Sequence, residues 1–251
     1  MIKVRRGPQP EGFHERAISW QTRFEQERES NPSLTITRFW DRIRNEIRAD
    51  AEHLYHVSHG KCAFCESYMA DVSTPHIEHY RPKSKFPELA FVWDNWLLSC
   101  QCCNGKKWGH FPICEDLPCL IDPGNEDPEM HITFEGYTPI SKTPRGEKTI
   151  ELLGLRRSPL EDERSRWLNY VSILLLSWCN TKDSMLKDEI RELLIWAMQD
   201  EAPYAAMTRC FLQKYAPRLA SKAHPPVTCP RPLMRIQELV EQWSHEFVGL
   251  E

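Results

Sequence analysis

Apolar residues recur at helical spacing in several stretches of the chain. Trp40, Ile43, Ile47, Ala51 and Leu54 fall three or four apart with Arg and Glu between them. That spacing predicts a core-facing amphipathic helix over 37–57, ended by Gly60. Leu160, Trp167, Val171, Leu174, Leu175 and Trp178 mark a second helix. Leu186, Ile190, Leu193, Leu194 and Ala197 mark a third, Met207, Phe211 and Tyr215 a fourth stopped by Pro217, and Ile236, Val240, Trp243 and Phe247 a last one. Trp167, Trp178, Trp196 and Trp243 read as core residues, because large apolar rings are usually buried. Residues 1–33 are polar and carry Pro8, Pro10 and Pro32, with Trp20 and Phe24 four apart. They read as an extended arm or strap with room for one short helix.

Between the first helix and the others the periodicity breaks. Pro75, Pro82 and Pro87 cut residues 66–95 into short pieces. His76–Tyr80 reads as a strand, Trp93–Trp96 as the start of its return, and Leu97 onward as the lead into a short helix holding Cys100 to Lys107. The coarse order is strand, loop, strand, helix. Phe111 to Pro144 is turn-rich, with a short strand at His131–Phe134.

Composition narrows the class. The chain is 41% hydrophobic and 27% charged, as expected for a soluble globular protein with a core. No apolar run approaches a membrane span, and no apolar run follows the charged N-terminus, so the expected compartment is the cytoplasm. The net charge of −4 looks poor for a nucleic-acid binder, but the acid excess lies in 111–251, with 16 Lys+Arg against 22 Asp+Glu. Arg81, Lys83, Lys85, Lys106 and Lys107 could form a local basic rim.

Ten cysteines without a secretion signal read as metal ligands and buried thiols rather than disulfides. Cys62-x-x-Cys65 and Cys100-x-x-Cys103 are two knuckles that together close a tetrahedral zinc shell. Cys102 could swap into it. Cys114, Cys119, Cys179, Cys210 and Cys229 lack such partners and read as small core hydrophobes. The long spacer between the knuckles carries the candidate chemistry. Phosphodiester hydrolysis needs an activated water and a cation at the scissile phosphate. His79 suits the first task as a neutral base, and Glu78 and Asn104 suit the second as hard oxygen ligands for Mg2+ or Mn2+. Asn95 could brace the hairpin across its loop. Lys107 could reach a phosphate or cap its helix. Glu78 and His79 are strand neighbours and should point to opposite faces, so the strand should end or bulge there. His76 shares the Glu78 face and reads as a core histidine or a further contact.

At these residues the chain resembles the HNH endonucleases, in the subgroup with a four-cysteine zinc site. Glu78-His79, Asn95 and the Cys-Asn-x-x-Lys run at Cys103–Lys107 carry the resemblance, with Asn104 as the third letter and Glu78 where Asp is usual. His76–Lys83, Leu120–Pro123, Asp127–His131 and Glu147–Leu155 extend it to the PtuB family, nuclease subunits of Septu and retron anti-phage systems. The resemblance implies an α+β, mostly α fold: a ββα-metal core with the zinc site, surrounded by helices and followed by a helical C-terminal region. It implies metal-dependent cleavage of DNA, with His79, Asn95, Asn104 and Lys107 as catalytic residues, Glu78 and Asn104 on the catalytic cation, and zinc on the cysteines. It also implies a hetero-oligomer with a PtuA-like ABC-type ATPase. No P-loop pattern occurs here, so any ATP dependence must come from another subunit.

The expected organisation is an arm and helix over 1–60, the zinc and nuclease core over 61–112, and a helical region over 113–251. Two rival readings stand beside a defence nuclease. One is a non-catalytic zinc module that binds nucleic acid or protein, and the other a stand-alone restriction nuclease.

Overall fold

Residues 1–12 carry no helix or strand and pack across the body, as a strap would. The backbone N–H of Val4 donates to the Pro123 carbonyl at 2.6 Å, and Arg6 Nε donates to the Trp96 carbonyl at 2.7 Å. The Met1 amine is buried against Glu66 at 2.5 Å. A computed structural model describes residues 1–69, 76–114 and 117–216. They form a mixed α/β, mostly helical fold. None of its described helices is long and apolar enough to cross a membrane.

The strap leads into α1 (Phe13–Ser30), far longer than the short helix expected there. Its buried residues, Phe13, Trp20 and Phe24, lie on one helical stripe, and apart from Ala17 and the exposed Ile18 the rest is polar. So thin a stripe gave little periodic signal, and tertiary packing supplies the stability. Phe13 meets Trp93 and Trp96 edge-on at 5.2 and 5.1 Å between ring centroids.

The single helix expected over 37–57 is two: α2 (Ile36–Arg42), capped by Thr35 Oγ1, and α3 (Arg44–Val57). The break falls at Ile43, which leaves helical geometry at φ −94°, ψ 13° yet is buried. The kink lets Trp40 reach His79 and Phe91 while Ile47 and Leu54 stay in the core. Gly60 closes the region as expected. It takes φ +63° and donates to the Tyr55 carbonyl at 2.9 Å, a left-handed helix ending that favours glycine.

Strands β1 (His76–His79) and β2 (Trp96–Ser99) pair antiparallel from His76↔Ser99 to His79↔Trp96, joined by the loop 80–95. Helix α4 (Gln101–Lys107) follows at once, so the strand, loop, strand, helix order holds. Two small hairpins come next, β3 (Ile113–Cys114) with β4 (Leu117–Pro118), and β5 (Ile132–Glu135) with β6 (Thr138–Ser141). The first corrects a sequence expectation. Cys114 and Cys119 are a disulfide, because the tight hairpin brings their Cα atoms to 5.2 Å. Cys179 is exposed and Cys210 half-buried, so neither is a core residue, and Cys229 lies outside the described residues.

Helix α5 (Pro144–Leu153) lies in what read as the end of a turn-rich stretch. Thr143 caps it, with Oγ1 accepting from the Gly146 N–H at 3.1 Å, and Gly154 ends it at φ +55°. Helices α6 (Ser158–Asn180), α7 (Ser184–Trp196) and α8 (Ala205–Tyr215) match the periodicity. The expected helix at Ile236–Phe247 lies outside the described residues. Trp196 is buried, whereas Trp167 and Trp178 are partly buried against the cluster of α6 to α8.

One apolar cluster runs from Met1 through Phe39, Leu97 and Ile150 to Met207, with a second inside α6 to α8. Phe39 has no exposed surface and packs against Phe24 and Phe91 at 5.6 and 6.2 Å. Phe39→Ala is therefore expected to cost about 3–5 kcal/mol in urea unfolding, through lost burial and the cavity left behind.

Candidate metal and catalytic site

Cys62 and Cys65 lie on the turn after α3, and Cys100 and Cys103 on the first turn of α4. All four are buried, and their sulfurs lie within 4.8 Å of one another. The local fold explains the convergence. The Ala63 N–H donates to the Leu98 carbonyl at 2.9 Å, which ties the first knuckle to β2. Cys100 is the N-cap of α4, with its sulfur accepting from the Cys103 N–H at 3.4 Å.

Cys65 Sγ and Cys100 Sγ stand 3.8 Å apart. A tetrahedron with metal–sulfur bonds of about 2.3 Å has edges of about 3.8 Å. The donor set therefore fits a four-thiolate metal site. Packed this closely, the sulfurs share protons unequally. Burial pushes the Cys62 thiol well up, while hydrogen bonds from Cys100, Cys103 and Cys62 hold Cys65 well down. Arg157 Nη2 lies 3.8 Å from Cys103 Sγ. Burial opposes its charge, but the neighbouring sulfurs outweigh that and raise its pKa, so it balances a thiolate cluster. No sequence signal marked Arg157, which reaches the knuckle from beyond α5. Cys102 is exposed and stands outside the cluster.

The candidate catalytic residues flank this centre. The strand ends at His79 without a bulge, and the pairing stays regular through Glu78↔Leu97. Glu78 and His79 therefore leave opposite faces. Glu78 faces α4, where its Oε1 meets Lys107 Nζ at 2.5 Å. Lys107 is wholly buried and also donates to the His79 carbonyl at 2.7 Å. It therefore neither stands on the expected basic rim nor reaches outward for a phosphate. Burial pushes Glu78 up and Lys107 down, and each charge offsets part of that cost for the other.

The His79 imidazole lies in an aromatic recess. Its centroid is 4.6 Å from Trp40 and 6.3 Å from Trp96, both edge-on. Nε2 lies 2.9 Å from the Ala90 carbonyl. A carbonyl only accepts, so Nε2 carries the proton and Nδ1 keeps its lone pair. Nδ1 has no hydrogen-bond partner among the described residues. Burial, with Lys83 adding to it, lowers the His79 pKa to about 3, so the ring is neutral near pH 7.

Asn95 is committed to the loop. Its Oδ1 accepts from the Arg81 N–H at 2.8 Å, and its Nδ2 donates to the Arg81 and Leu89 carbonyls, each at 3.0 Å. Asn104 is half-buried on α4, one turn before Lys107 and so on the same helix face. His76 is half-buried and lies on the Glu78 face. Lys83 links the two faces. Its ammonium sits 5.3 Å from the Trp40 ring centre and acts electrostatically on both Glu78 and His79. The structure thus brings Glu78, Lys107 and the Asn104 face together, and sets His79 apart on the aromatic side.

The class defined by this fold and site is a mostly helical α/β protein with a buried four-cysteine cluster that could hold a metal. Beside that cluster a strand–strand–helix unit carries acid, imidazole and amide side chains. No protein-family model matches the chain. It is similar to Septu protein PtuB from Bacillus thuringiensis, 34% identical over 105 residues, covering 41% of this chain and 40% of that protein. It is similar to Septu protein PtuB from Bacillus mycoides (strain KBAB4), 32% identical over 137 residues, 43% of this chain and 46% of the relative. It is also 27% identical over 164 residues to the retron Vc95 putative HNH endonuclease of Vibrio cholerae serotype O1 biovar El Tor, 57% of this chain and 75% of the relative. The resemblance carried by the motifs therefore holds, and the chain is PtuB-like. It spans less than half the length of these PtuB relatives.

Two outcomes follow from this geometry. Cys62→Ser is expected to lose bound metal, measured by elemental analysis of the purified protein, and to melt without a cooperative transition. The second concerns pH. The folded His79 pKa, about 3, lies below its unfolded value near 6.5, so the unfolded chain binds the extra proton between them. His79 adds no pH dependence above pH ~6.5 and costs up to about 1.4 kcal/mol of stability per pH unit below it, until the buried ring itself protonates. His79→Gln, whose amide can still donate to Ala90, is expected to flatten that slope in unfolding curves between pH 4 and 6.5.

Proposed function

We propose that the chain is a metal-dependent endonuclease of the HNH type that cuts DNA in anti-phage defence. The observation that carries this reading is its similarity to PtuB and to a retron HNH endonuclease. The β1–β2–α4 unit bearing Glu78-His79 and Asn104 against the cysteine cluster supports it. In this reading that unit is a ββα-metal core, and the cysteines hold zinc for folding. The cysteine donor set suits zinc, and the Glu78 and Asn104 oxygens suit magnesium or manganese. That second cation, when bound, stabilises charge on the scissile phosphate and the leaving oxygen.

The residues of the chain then divide the work. His79 takes the proton of the attacking water on Nδ1, with Nε2–H anchored on Ala90. Its resting basicity is low, and an approaching phosphate favours the protonated ring and raises it. Asn95 holds the loop that carries Ala90, so it positions the base and touches no substrate. Lys107 holds the Glu78 carboxylate in place from within. Arg81, Lys83, Lys85 and Lys106 remain for the DNA backbone. The partner is a PtuA-like ABC-type ATPase in a cytoplasmic hetero-oligomer, and copurification with such an ATPase separates this from a stand-alone restriction nuclease.

Two observations favour a second reading, a zinc module that binds nucleic acid or protein without chemistry. The Lys107 ammonium already engages Glu78, and the His79 ring turns inward. Plasmid incubated with Mg2+ or Mn2+ decides between them. Wild-type protein is expected to nick the plasmid, and His79→Gln to be at least about 100-fold slower, the usual range for losing a general base. Equal rates, or no cutting by the wild type with its ATPase present, would favour the second reading.

A further inference from the structure

Trp108 is 80% exposed, while the neighbouring Phe111 is 7% exposed. It directly follows α4, whose last residue, Lys107, reaches Glu78. Its backbone is left-handed at φ 31°, ψ 51°, a conformation a bulky aromatic residue rarely adopts. Neighbouring hydrogen bonds impose it. The Trp108 N–H donates to the Asn104 carbonyl at 2.9 Å, and the His110 N–H to the Lys107 carbonyl at 2.5 Å. A helix ending of this kind is the usual place for glycine, yet here the glycine comes one residue later. The chain thus holds a strained tryptophan in water, where burial would be the favoured fate of so large an apolar ring.

The surroundings say what such a ring could meet. A Cβ at Gly109 would lie 3.9 Å from Ser84 Oγ, so the Trp108 turn lies against the loop of Lys83 and Lys85. Lys85 and Lys106 are exposed. Residues 79–87 and 95–114, which build this side of the site, contain no Asp or Glu. An exposed aromatic ring beside the loop that carries the exposed Lys85, on segments without acid, suits a polyanion with flat apolar faces better than an acidic protein surface.

We propose that Trp108 is a stacking platform for an unpaired nucleobase next to the phosphate that the Glu78–His79 strand addresses. The substrate class is therefore nucleic acid with a single-stranded or splayed segment at the cut, which rests on the nuclease reading above. In a regular duplex both faces of a base are covered, so the ring has nothing to stack on. An unpaired base offers a free face, and stacking on an aromatic side chain adds affinity with little sequence preference.

Fluorescence anisotropy with wild-type protein in magnesium-free buffer tests this. The probes are a labelled single strand of about 20 nucleotides, longer than typical single-strand sites, and its duplex. Trp108→Ala is expected to weaken single-strand binding about tenfold, leave duplex binding unchanged and keep the wild-type melting temperature. Trp108→Phe, which retains a ring face, is expected to stay within about twofold of wild type. Wild-type binding of the single strand that is unaltered in Trp108→Ala overturns the proposal and leaves the ring to a protein partner. Equal losses for strand and duplex overturn it too, since they mark a general electrostatic or folding effect. No binding of either probe by the wild type in complex with its ATPase overturns the nuclease reading along with it.

Discussion

Four thiols from two turns 35 positions apart meet in one buried cluster, and the geometry of the site depends on that meeting. The strands of the β1–β2 hairpin are four residues long, and α4 has seven. None of these elements could hold its shape alone in water. The cysteines fasten the start of α4 to the turn after α3, and the Ala63–Leu98 hydrogen bond fastens that turn to β2. A structural metal in such a cluster can supply on the order of 10 kcal/mol, comparable to the whole net stability of a domain. Sequence spent on the knuckles thus frees the small hairpin from needing a large core of its own.

What the cluster positions is a strand with two unlike faces. One carries Glu78 against the buried ammonium of Lys107, and the other carries His79 among Trp40, Trp96 and the Ala90 carbonyl. Both arrangements bury a group that water would rather keep. Glu78 and Lys107 are held by mutual charge, and His79 by giving up its own. The neutral imidazole has one nitrogen anchored and the other carrying a lone pair, at some expense in acid stability. The kink between α2 and α3 belongs to the same arrangement, because it is Trp40 that closes the recess over the ring.

The parts of this site that were legible in the sequence are those whose chemistry needs few partners. Cys-x-x-Cys pairs announce themselves by spacing, since two thiolates on one turn have few other uses. Gly60 did so by its lack of a side chain at a left-handed helix end, and the long helices α6, α7 and α8 by their apolar period. Asn95 could be read as a brace because an amide between two short strands has backbone groups to bond. Illegible were features that arise only when distant segments touch. The α1 stripe was thin enough to suggest only a short helix, and its full length came with packing on Trp93 and Trp96. The Cys114–Cys119 pair became a disulfide only through the hairpin between them, and Arg157 gave no sign that it would lie against Cys103.

By itself, then, the sequence determined the four cysteines that cluster, the order strand, loop, strand, helix between and after them, and the helical second half, because these follow from local spacing and turn chemistry. Only the tertiary structure decided which way the polar side chains of that region face. Lys107 had two readings along the chain, phosphate contact or helix cap, and it took neither. Once α4 was pinned at Cys100 and Cys103, its last turn lay over β1, where the buried ammonium met the Glu78 carboxylate.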